Sequence, residues 1–158
     1  MMISNIQLIE CLMDTGEVPA TLPPSLREIL DAGLNDETDA LQFQKMFYAH
    51  RKIDAYNHNW TQVEAAFSKI RMSAYIDMGV AKETGIAFFF EFVKRFSNTE
   101  RYGRIASILI FDEGEVDGYI TRDTVFRFYK VREGEEAYNS DRMERFIQPM
   151  LIYYPDKD

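Results

Sequence analysis

The run Ile86-Ala87-Phe88-Phe89-Phe90-Glu91-Phe92-Val93-Lys94-Arg95-Phe96 constrains the fold more than any other stretch of the chain. A surface helix keeps a single apolar stripe, whereas Phe88, Phe89, Phe90, Phe92 and Val93 point in several directions, so this segment has to be enclosed by protein. A membrane span is excluded, because it needs roughly 18 or more apolar residues and this run is broken by Glu91, Lys94 and Arg95. The run therefore predicts a central core helix around which the rest of the chain packs.

The surrounding sequence reads mostly as further helices. Ser4 with Gln7 fits a capping box for a helix over 5–14 that Gly16 stops. Pro19 and Pro23 mark a loop, Pro24 opens the next helix at its first turn, and Gly33 ends it. Phe43, Met46, Phe47, His50, Ile53, Trp60, Val63, Phe67, Ile70 and Ala74 follow in steps that hold one helical phase. They predict a long helix, kinked at Asn57-His58-Asn59, and Thr61 with Glu64 offers a fresh start inside it. After the core helix, Ser97-Asn98-Thr99 caps a segment carrying Tyr102, Ile105, Ile108 and Leu109. A buried strand over 105–111 is the alternative there, because periodicity does not separate short apolar runs.

Gly114 and Gly118 mark a turn, and Thr121 caps a helix bearing Val125, Phe128 and Tyr129 that Gly134 closes. Ser140 caps a last helix through Met143, Phe146, Ile147, Met150, Leu151 and Tyr154, kinked at Pro149. With 46% apolar and 14% aromatic residues among 158, one core of ordinary size is expected. The expected fold is thus mainly α: a single domain over 1–158, a bundle of about seven helices with one long central helix, and a short β element near 105–121 as an alternative.

Charge is spread unevenly. Residues 1–40 hold eight acids against one base (Arg27), residues 41–110 six against ten, and residues 111–158 twelve against seven, for a net −8. Such a field opposes nucleic acid, whose binding needs basic side chains to displace counterions, and it favours a basic partner. The bases Lys69, Arg71, Lys82, Lys94, Arg95, Arg101 and Arg104 are scattered, so direct nucleic-acid binding is not expected. Cys11 is the only cysteine, which rules out an internal disulfide, and it is expected as a small buried hydrophobe. With no basic leader at the start and no membrane span, the expectation is a cytoplasmic protein.

The acidic stretch Ile110-Phe111-Asp112-Glu113-Gly114-Glu115-Val116-Asp117-Gly118-Tyr119-Ile120-Thr121 resembles the calcium loop of an EF-hand. With Gly118 at the sharp-turn position, Glu113, Glu115 and Asp117 fall at the first, third and fifth ligand positions, and Tyr119 would offer its carbonyl. The resemblance implies a helix on each side. The sequence departs from it in having Glu rather than Asp at two early positions and Thr124 where a bidentate Glu belongs. An acidic, solvated turn is the plainer reading.

His50 and His58, eight residues apart, lie about 12 Å apart on a helix and cannot share a metal without a third element. No phosphate loop and no nucleophile elbow occurs. Glu91, inside the apolar run, is the acid most expected to be partly buried, paired with Lys94 or Arg95. No cofactor is expected. Two functions of different class fit: a small enzyme with a dispersed carboxylate and histidine site (Glu91, His50, His58), or a non-enzymatic acidic inhibitor. A calcium-responsive module is a further alternative.

The inhibitor fits better, because no chemistry-bearing motif is present. It would cover a basic surface on a partner protein, with nucleic-acid-binding proteins among the candidates. Its composition resembles that of toxin-neutralising and phage-encoded inhibitors. Its expected contacts are Glu113, Glu115 and Asp117 in one turn and Glu133, Glu135, Glu136 and Tyr138 in another, with Trp60, Tyr153 and Tyr154 as further aromatic anchors.

Overall fold

The computed structural model describes residues 1–4, 8, 12–13, 15–46, 59–135 and 148–156. Its centre is an antiparallel sheet rather than a helical bundle. The strands β1 (Met2–Ser4), β4 (Ile70–Arg71), β6 (Gly103–Val116), β7 (Tyr119–Lys130) and β8 (Met150–Tyr153) take the order β1-β8-β6-β7-β4. Off this path, β5 (Asn98–Thr99) pairs with the start of β6, while β2 (Leu34–Asn35) and β3 (Gln42–Phe43) pair with each other. Three helices complete the described residues: α1 (Pro24–Ala32), α2 (Trp60–Phe67) and α3 (Ala81–Phe96).

This overturns the all-α expectation of about seven helices. The segment capped at Ser97 is not a helix: the Ser97 hydroxyl closes α3 by donating to the Val93 carbonyl at 2.6 Å, and the chain then enters β5 and β6. The helix expected after Thr121 is β7, because Val125, Phe126, Phe128 and Tyr129 are β-branched or aromatic and fill a two-sided strand. The end of the expected last helix is β8. The long phased helix is also broken up, into β3, a 3-10 turn over Gln44–Met46, α2 and β4. Of its kink region only Asn59 is described; Asn57 and His58 lie outside the described residues, as do Cys11, His50, residues 136–147 and most of 5–14. α2 starts one residue before Thr61, with the Asn59 side chain accepting from Gln62 N–H at 3.1 Å.

Two of the expected helices form. α1 begins at Pro24 and stops before Gly33, whose φ of 76° suits glycine. The aromatic run forms a helix, α3, with Phe88, Phe89 and Phe92 fully buried; it is not the enclosed central helix expected, since Phe90 is half exposed and α3 lies against one face of the sheet.

The sheet has two covered faces. On one, Ile105, Leu109 and Phe111 of β6 and Phe126 and Phe128 of β7 pack against α3, α1 and Phe43. On the other, Ala106, Ile108 and Tyr129 join Met150 and Ile152 of β8 and Ala65 of α2. The central strands therefore lack the apolar–polar alternation of a half-exposed strand.

Gly85 sets the approach of α3 to β7. A Cβ there would stand 2.4 Å from Thr124 Cγ2 and 3.0 Å from Thr124 Cβ. Gly85→Ala is expected to lower the unfolding free energy by about 1–3 kcal/mol in urea titrations. Thr124→Ala in the same chain should return part of that loss, since it removes the nearer atom. An unchanged midpoint for the single variant would refute the close contact.

Candidate functional site

The most protruding described feature is the outer part of the β6–β7 hairpin. Ile110 pairs with both Met150 of β8 and Val125 of β7, and Val125 in turn pairs with Arg71 of β4. Beyond that row the ladder joins only these two strands, from Phe111 opposite Thr124 to Val116 opposite Tyr119, and Phe111 N–H still donates to the Pro149 carbonyl at 3.0 Å. The six residue pairs span about 20 Å; the first, Phe111 with Thr124, is still buried against the core, and the remaining five make the arm. Its tip is the two-residue turn Asp117-Gly118, with φ of 53° and 79°, the left-handed pair that a type I′ hairpin requires. The EF-hand resemblance implied helices on both sides of this loop; strands stand there instead.

The base of the arm is tied to the body by charge. Arg71 Nη1 lies 3.2 Å from Asp123 Oδ2 and 3.5 Å from Asp112 Oδ2, and these two carboxylates face each other across the ladder. Ser73 donates to Asp123 from its N–H at 3.0 Å and its hydroxyl at 2.7 Å, and Gln148 Nε2 donates to Asp112 at 2.8 Å. Burial pushes the Asp123 pKa up, but the bonds from Ser73, Thr124 and Arg71 outweigh it and hold the carboxyl below its usual range. Nearby Lys69 has its pKa lowered by burial, with the charges of Arg71 and Arg127 adding to the effect. Lys82 Nζ of α3 meets Glu113 Oε1 at 3.0 Å.

The tip is open. Glu115 and Asp117 are exposed and have no ion-pair partner among the described residues, and Tyr119 is 78% exposed. Of the first expected contact group, Glu113 is thus partly neutralised, whereas Glu115 and Asp117 present bare charge. Tyr119 was named from sequence only for its carbonyl, and the bracing by Arg71 and Ser73 was not foreseen. The signal was available in the dipeptide Asp117-Gly118, which is a strong hairpin turn when strands flank it.

The second expected contact group lies at the opposite end of β7, about 40 Å along the strand. Glu133 is exposed, but Glu135 is engaged: Thr61 donates to its Oε2 from both N–H (2.7 Å) and hydroxyl. Burial raises the Glu135 pKa, while the Thr61 bonds and the Arg132 charge lower it further than burial lifts it. Glu135 thereby closes the N-terminal turn of α2. Glu136 and Tyr138 lie outside the described residues. The aromatic anchors Trp60, Tyr153 and Tyr154 are only partly exposed, and Tyr154 has the Arg104 guanidinium 6.0 Å from its ring centre.

The acid with the deepest burial is Glu64, not Glu91. Glu91 is partly exposed and pairs with Arg95 at 2.7 Å, as its helical spacing suggests. Glu64 is fully buried and accepts from Leu41 N–H (2.6 Å), Lys130 N–H (2.7 Å) and both terminal nitrogens of Arg132 (2.7 and 2.8 Å). Every near donor is already spent, so this pair joins α2, residue 41 and the end of β7 and leaves no open valence for a reactant. Among the described residues no group of three His, Cys, Asp or Glu is placed to hold a metal ion, and no helix is long and apolar enough to cross a membrane.

The model of the Uncharacterized protein PM0498 family matches residues 4–157, and the chain belongs to that family. No curated protein and no solved structure matches it.

Proposed function

We propose that this member of the family is a non-enzymatic binding protein of the inhibitor or immunity type, which covers a basic surface on a partner protein with its β6–β7 arm. The observation that carries this reading is the contrast within the arm. Its base is braced by Arg71, Ser73 and Lys82, while its tip offers the unpaired Glu115 and Asp117 beside the exposed Tyr119. A braced element loses little conformational entropy on binding, which favours affinity. Unpaired carboxylates speed encounter with a cationic surface, and a tyrosine among them is a common anchoring group. A partner that itself binds nucleic acid has such a surface.

The test compares tagged wild-type protein with a Glu115→Lys, Asp117→Lys, Tyr119→Ala variant in affinity capture, after circular dichroism has established that both fold. The wild type should retain one basic protein stoichiometrically and release it as salt rises. The variant should bind that protein at least about tenfold more weakly, the loss expected on removing an anchoring residue and its charges. Equal affinity of variant and wild type for the captured protein would remove the arm from the contact.

A further inference from the structure

The extended loop that leads into α1 forms one wall of an apolar groove of about 450 Å³ against α3. Val18, Pro19 and Leu22 line one side, and Ala87 and Phe90 line the other. Val18 is 41% exposed and Phe90 50%, so the groove opens to solvent with large apolar groups uncovered. Its wall is fixed at both ends: Gly16 N–H donates to Glu83 Oε1 at 2.7 Å, and Arg27 Nη2 donates to the Leu22 carbonyl at 2.9 Å. The Phe90 ring rests edge-on against buried Phe89, with centroids 5.5 Å apart. The groove is preformed.

Its charge runs against that of the chain. Arg95 is neutralised by Glu91 at 2.7 Å and Asp31 at 2.6 Å. Arg27 and Lys94 also line the groove, and neither has a carboxylate partner among the described residues. In a protein of net charge −8, an apolar groove edged by two uncompensated cations calls for an occupant that is apolar and anionic at once.

The same chain carries such an element in the arm tip, where exposed Tyr119 stands beside unpaired Glu115 and Asp117. We infer that the groove receives the arm tip of a second copy of this chain, with the Tyr119 ring against Phe90 and Val18 and the tip carboxylates toward Arg27 and Lys94. The inference rests on the arm being the contact element proposed above, and it adds that self-association and partner capture compete for the tip. Reciprocal exchange of two arms closes a dimer, because each copy offers one arm and one groove. Contacts below about 1,200 Å² belong to weak, transient associations, so a concentration-dependent equilibrium is expected.

Sedimentation equilibrium on the full chain, up to about 300 µM, tests this against a charge swap, the range being where weak contacts of this size populate. Arg27→Glu with Lys94→Glu, and separately Glu115→Lys with Asp117→Lys, should each give monomers where the wild type associates. An equimolar mixture of the two variants should associate again, since each tip then meets an opposite groove. A wild type that stays monomeric throughout overturns the inference and leaves the proposed function standing. So does association that persists in either variant, or a mixture that fails to restore it. The groove variant should still capture the basic partner. If neither it nor the wild type captures one while self-association obeys the swap, the proposed function falls and the groove assignment stands.

Discussion

Glu64→Ala is expected to lower the unfolding free energy by about 3–5 kcal/mol, the range for breaking a buried ion pair from one side. The carboxylate is fully buried, and its removal leaves the Leu41 and Lys130 amides without their acceptor and takes from the part-exposed Arg132 its principal partner, leaving it Glu135 at 4.0 Å. Buried donors left unsatisfied cost more than their bonds contributed, so the loss exceeds what a count of hydrogen bonds suggests. For a chain of this size the melting temperature should fall by about 10 °C. Replacing Glu64 and Arg132 together with apolar residues should lose markedly less than Glu64→Ala, because no charge is then stranded. A calorimetric scan of the three proteins settles it: a Glu64→Ala melt within a degree or two of wild type contradicts the buried geometry.

Phe92→Ala should cost a similar amount, about 3–5 kcal/mol, for a different reason. Its ring has no exposure and lies 4.8 Å from Phe126, 5.0 Å from Phe128, 5.1 Å from Phe96 and 5.7 Å from Phe43, centroid to centroid. Truncation opens a cavity between α3 and the sheet that these four aromatic neighbours in a close-packed core cannot collapse into without leaving their rotamers. Phe90, two residues earlier on the same helix, is half exposed, and its truncation should be nearly neutral by denaturant titration. Equal losses at the two positions would mean that α3 is rotated from the orientation described.

That contrast shows how far the sequence could be read. Phe88, Phe89 and Phe92 marked α3 as a core-facing helix, and they fall together on its buried face while Phe90 is half exposed; Pro24 with Gly33 bounded α1 because both residues act through local backbone geometry. The sheet was not legible in the same way. Ile105, Ile108 and Leu109, like Val125, Phe128 and Tyr129, are spaced to suit a helix face as well as a strand buried on both sides, and long-range pairing decides between them. Asp117-Gly118 was legible as a turn; its hairpin meaning depended on recognising strands at either side. At the arm, the acidic character of Glu115 and Asp117 was visible from composition, but the bracing of Asp123 by Ser73 and Arg71 joins residues about 50 positions apart and leaves no local trace. Glu64 looked like the exposed acid of a capping box because nothing in its neighbourhood announces Arg132.

The position of β8 between β1 and β6 bears on how the molecule reaches this state. Met2–Ser4 pair with Leu151–Tyr153, so the strand over 2–4 has no neighbour until residues 151–153 have been made. Until then the β8-facing edge of β6, from Ser107 to Ile110, is a bare row of amides and carbonyls in an apolar setting. Closure across some 150 residues is a non-local step of the kind that slows folding. A nascent or thermally opened chain therefore presents an adhesive edge for as long as residues 150–153 are away from β6, and their docking is what seals it.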